Sequence, residues 1–158
     1  MNHGTALLPD EDRAAVVDTV MVNNPDMAPQ LAGRIVDEAV KYLAAVATAP
    51  EPLTPSRLVD EEWHALILHT RVYKRLCDKI GTFVHHVPER PAPGSRGPQV
   101  LTKTQARIVA AGHTVDDALW LAPTDASIPV AAGCQHSPGG PEGSCTGDPD
   151  GDGPSGPN

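Results

Sequence analysis

The feature that most constrains this chain is an apolar stripe at helical spacing: Met27, Leu31, Ile35, Ala39, Tyr42, Leu43 and Val46. Residues three and four apart lie on one face of a helix, so the stripe predicts a second helix running to about Ala47. Asp26 reads as its N-cap, with Pro29 tolerated in the first turn. A face that long must be covered by other elements. The chain holds only five aromatic residues (Tyr42, Trp63, Tyr73, Phe83 and Trp120), so the cover is Val, Leu, Ile and Ala, which suits helices.

Neighbouring segments read the same way. Residues 9–22 open with acids that favour a helix N-terminus and carry Val16, Val17, Val20 and Met21 on one face, and Asn23-Asn24-Pro25 stops them. Three prolines in residues 49–55 make an extended connector. From Ser56, an N-cap, Val59, Trp63, Leu66 and Ile67 keep the helical period, as do Tyr73, Cys77 and Ile80, with Gly81 as terminator. A break near His69, with Thr70 capping the second part, divides this stretch into two helices. Residues 82–88 are extended, 89–98 form a Pro/Gly loop, and 102–111 form a further helix closed by Gly112. Thr114 then caps a short turn containing Val115, Leu119 and Trp120.

The last 37 residues contain 15 Gly or Pro and no Lys or Arg. Such a composition cannot bury enough apolar surface to offset the entropy of ordering it. The expected organisation is therefore an all-α domain of four or five helices over residues 5–121, followed by a disordered, acidic Gly/Pro-rich tail over residues 122–158.

The net charge is −8, and the body holds 12 basic against 15 acidic residues. No basic stripe marks a nucleic-acid surface, no run reaches the roughly 20 apolar residues of a membrane span, and the start lacks a signal peptide. The expectation is a cytoplasmic protein with no nucleic-acid or membrane partner, which leaves a protein partner open. Three cysteines, Cys77, Cys134 and Cys145, are too few and scattered for a disulfide framework.

Chemistry-bearing residues concentrate in residues 58–88, which hold four of the seven histidines. Asp60 and His64 are four apart on a helix, so the carboxylate can orient the imidazole as a metal's outer shell does. His64 and His69 are about 140° apart on an unbroken helix and meet at one metal only if the chain breaks between them. Ala65 stands where a zinc protease would place its glutamate, which excludes that class. His85 and His86 are neighbours in extended chain, so at most one faces inward, toward His64 or Cys77.

The candidate metal ligands are thus His64, His85, His86, His69 and Cys77, with Asp60 supporting them and Trp63, Tyr73 and Gly81 as structural residues. A transition metal such as zinc suits this set. Cys77 also reads as a small buried hydrophobe on the stripe of Trp63 and Tyr73. In the tail, Cys134, His136 and Cys145 could form a loose metal clip. Residues 148–153 copy half of an EF-hand loop, but no bidentate glutamate follows.

Val59-Asp60, Trp63-His64, Tyr73, Cys77, Gly81 and His85-His86 with Pro88 resemble the signature of the glycine-rich domain-containing protein family, which includes bacterial single-domain members. The resemblance covers residues 55–88. It implies a helical domain and no established activity, and the Cys-bearing, Gly-rich tails of bacterial members are similar to Cys134 through Cys145. That family's pattern has a second histidine two places after the first, where Leu66 stands here. The function expected is a non-enzymatic metal-binding or protein-interaction module. The alternative is a metal-dependent, hydrolase-like enzyme built on the histidine cluster, with Asp60 or Glu61 as general base.

Overall fold

The computed structural model describes residues 7–87, 97–121 and 128. The expected tail lies outside the described residues, apart from Ile128, as do Pro88 and residues 89–96 of the loop that follows it; Gly97 and Pro98, expected in that loop, instead cap and open the last helix. Among the described residues the chain is all-α, with five α-helices and no strand: α1 (Asp10–Asn23), α2 (Pro29–Thr48), α3 (Arg57–Leu68), α4 (Thr70–Ile80) and α5 (Pro98–Ala110). A 3₁₀ turn follows at Asp117–Leu119. None of these helices is long and apolar enough to cross a membrane.

Helix α2 is central and packs against each of the other four. The stripe predicts one buried face, yet every residue from Glu38 to Ala45 is buried, because helices cover α2 on all sides. Burial on all sides forces two charges inside. Glu38 is fully buried, and its carboxylate accepts from Lys41 Nζ at 3.0 Å, Trp120 Nε1 at 2.8 Å and the Asp116 backbone N–H at 3.2 Å. These bonds tie the 3₁₀ turn back onto the central helix.

Helix ends follow local chemistry with some departures: Thr114 does not cap the 3₁₀ turn, whose N-cap is Asp116, and α5 starts at Pro98 and not at residue 102. Helix α1 carries Asp10, Glu11 and Asp12 in its first turn, complementing the helix dipole. Asp26 does not cap α2. The cap is Ala28, without a side-chain bond, and Pro29 opens the helix because its missing N–H has no helical partner to lose. Asn24 instead closes the preceding turn, donating from Nδ2 to Val20 O at 2.9 Å and accepting from Met27 N at 2.9 Å.

Ser56 caps α3 as expected, its Oγ accepting from Val59 N at 3.3 Å and donating to Leu119 O at 2.8 Å. The break near His69 is present, and His69 itself (φ −84°, ψ 66°) separates α3 from α4. Thr70 lies inside α4 and does not cap it. Gly81 ends α4 with φ 89°, a left-handed conformation that favours glycine. The chain therefore doubles back, and residues 82–87 return along α3 and α4.

Candidate metal centre

The return segment is extended, so its side chains alternate. Val84 is buried and His86 points inward with its side chain 12% exposed, while Phe83, His85 and Val87 face outward. The phase of the alternation is set by Trp63 and Tyr73. Trp63 packs edge-on against Tyr42 of the central helix at 5.6 Å and donates from Nε1 to the Tyr73 hydroxyl at 3.0 Å. That hydroxyl donates in turn to the Val84 carbonyl, which pins the return segment to α4 at one register. Burial above all drives the Tyr73 hydroxyl well above the ordinary tyrosine pKa. The Trp63 hydrogen bond opposes this shift and Cys77 adds to it.

With Val84 pinned, His86 lands beside α3. Its ring lies 4.4 Å from Trp63 and 4.3 Å from His64, centroid to centroid, and its Nε2 is 3.2 Å from Asp60 Oδ1. Asp60 and His64 share one face of α3 at i,i+4 spacing. One donor atom from each of Asp60, His64 and His86 lies within 4.8 Å of the other two. Asp60 is 5% exposed and the two histidines are half-buried, so two imidazoles and one carboxylate converge with limited access to solvent.

The other sequence candidates lie elsewhere. His85 is exposed, with its ring tilted against Phe83 at 4.8 Å on the outer side of the segment. His69 Nε2 is 2.7 Å from Thr19 Oγ1, where it joins the α3–α4 break to α1. Cys77 is 1% exposed, a free thiol packed within the apolar core. Cys134, His136 and Cys145 fall outside the described residues. Asp60, assigned from sequence to a supporting role, is one of the three converging donors.

Two further acids on α3 stand out. Glu61 is 9% exposed, and its carboxyl pKa is raised by desolvation and by Asp60, with Arg57 opposing. Glu62 is fully buried, and neither carboxylate oxygen has a hydrogen-bond partner among the described residues. Burial, then the neighbouring Glu61, raises its pKa well above the ordinary carboxylic-acid value. Glu62 lies roughly 160° around the helix from Asp60 and His64, so it faces the core and not the centre. Neither burial is legible from sequence, because a run of three acids normally reads as a solvated face.

No curated protein and no solved structure matches the chain. The UCP032817-like family does match, over residues 13–97, from α1 to the residue before α5. This overturns the resemblance to the glycine-rich domain-containing family, which nothing else supports. The residues that carried that resemblance explain the error: Val59, Trp63, Tyr73 and Cys77 are buried core residues and Gly81 is a helix cap, roles that any tight helical pair imposes. The matched span covers more than half of the 158 residues and contains Asp60, His64 and His86. The chain belongs to the UCP032817-like family.

Proposed function

We propose that this chain is a metal-binding helical module that holds a divalent transition metal at Asp60, His64 and His86. The observation that carries the reading is the convergence of three donor atoms from two separate elements within 4.8 Å. Imidazole nitrogen and carboxylate oxygen are the donors that zinc and iron(II) take in three-residue protein sites, and neutral imidazole is the form that binds. The Trp63–Tyr73–Val84 hydrogen-bond chain supports it further, because it holds His86 in register before any ion arrives. A preset donor spends little ordering entropy on binding.

The test is zinc stoichiometry and affinity on the full chain, measured by titration against a chromophoric chelator. Wild type should take up one zinc per chain. His64→Ala and His86→Ala should each lose most of the affinity, whereas His69→Ala and His85→Ala should retain it, with circular dichroism confirming the fold in every case. A folded wild type that takes up no zinc would leave Asp60 and His86 as an ordinary hydrogen-bonded pair beside a structural histidine.

A further inference from the structure

We infer that the chain has a second site, a cavity between α2 and residues 114–118 that binds a small zwitterion of the α-amino-acid class, its carboxylate on Lys41 and Arg34 and its ammonium on Asp117. The cavity measures about 380 Å³, within the range of small-ligand pockets, and none of its lining residues belongs to the metal centre. Its wall is built from charge pairs. Glu38 accepts from Lys41 Nζ through Oε2 and from the Asp116 backbone N–H through Oε1, and the Asp116 carboxylate accepts from Arg34 Nε at 2.7 Å and Nη2 at 2.9 Å. Arg34 above all, and Lys41 after it, hold the Asp116 carboxyl below its ordinary pKa against the opposing effect of burial. Both cations are thus gathered about one acid.

The hydrogen-bonding capacity left over in this wall decides the chemistry of the ligand. The Lys41 side chain is 8% exposed, and of the three N–H donors of its ammonium one goes to Glu38, with no other acceptor among the described residues. Arg34 spends Nε and Nη2 on Asp116, and its Nη1 likewise has no acceptor among the described residues. A buried ammonium with donors to spare calls for an acceptor, and a carboxylate answers it best because the bond is then charge-assisted. A free anion does not suit the wall as a whole. Asp37, Glu38 and Asp116 are matched by Arg13, Lys41 and Arg34, whereas Asp117 accepts only from the neutral Gln105 amide, at 3.0 Å. The cavity therefore carries a surplus negative charge at Asp117, and a compact molecule with a carboxylate at one end and an ammonium at the other satisfies both ends at once.

The experiment titrates the ¹⁵N-labelled full chain with each standard amino acid in turn, and with acetate and methylammonium as the two halves of the ligand, reading the amide shifts of residues 34–41 and 114–118. At least one amino acid should shift these amides to saturation, and either half alone should bind at least about tenfold more weakly. Asp117→Asn removes the surplus charge at an exposed position and keeps an oxygen for Gln105, so the fold should persist. It should weaken the amino acid at least about tenfold and leave acetate no weaker than in wild type. If no amino acid shifts these amides, the site is overturned. If acetate binds as tightly as the best amino acid, or Asp117→Asn binds that amino acid as wild type does, the zwitterion assignment is overturned.

Discussion

Replacing Glu62 with methionine should stabilise the protein. Glu62 is fully buried on α3, and both its carboxylate oxygens lack hydrogen-bond partners among the described residues. A buried polar group in that condition costs about 1–3 kcal/mol by protein mutational data. Methionine is close to glutamate in length, is unbranched and flexible, and adapts to the space without forcing its neighbours apart. The expected gain is therefore about 1–3 kcal/mol at neutral pH, offset only by small repacking losses. Urea unfolding is the assay: the midpoint should rise while the slope stays constant, so that the change reports stability and not compactness. Glu62→Gln, which keeps the polar atoms, should fall between the two. A loss of stability for Glu62→Met of more than about 1 kcal/mol would refute the reasoning and show that the carboxylate has a stabilising partner.

Tyr73→Phe should destabilise the fold by about 1–3 kcal/mol at neutral pH, because it leaves the Trp63 Nε1–H and the Val84 carbonyl without their partner. Burial raises the Tyr73 pKa in the folded state, so its contribution is fully present below the ordinary tyrosine value and is lost as pH rises above it. Wild type should consequently lose stability at alkaline pH more steeply than Tyr73→Phe in paired thermal melts. Glu38→Ala should cost about 3–5 kcal/mol, since it leaves Lys41 buried without its partner and frees Trp120 Nε1–H; a midpoint within error of wild type would contradict the buried-pair account. Gly33→Ala should cost under about 1 kcal/mol. The new Cβ would lie 2.6 Å from Arg13 Nη2, and the flexible end of a partly exposed ion pair with Asp37 can move aside; a larger loss would show that the Arg13–Asp37 pair is rigid.

How much of this was legible in the sequence depends on whether a residue acts locally. Ser56 as a cap, Gly81 as a terminator and the break at His69 were legible because each follows from the chain's own turn chemistry. The alternation of residues 83–87 was legible too, and it limits the inward histidine to one of two. Which one is a tertiary matter: the Tyr73 hydroxyl pins the Val84 carbonyl, and that choice of register turns His86 in and His85 out. Tertiary packing also hides Glu38, Glu61 and Glu62, which look like solvated acids until α2 and α3 prove to be covered. Asp26 has the residue type of a cap, but Pro29 opens the helix and places the cap two residues past Asp26, at Ala28. The family resemblance failed for a related reason, since buried aromatic and cap residues record packing more than ancestry.

The centre itself is tested most directly by X-ray absorption at the zinc edge of the zinc-loaded full chain. The first shell should contain two imidazoles and carboxylate oxygen at about 2.0–2.2 Å, with no sulfur. His86→Ala should remove one imidazole from that shell. A zinc–sulfur distance near 2.3 Å would place the ion on Cys77 or on the tail cysteines Cys134 and Cys145, and a shell of oxygen alone would place it in solvent. Either result would contradict a centre at Asp60, His64 and His86.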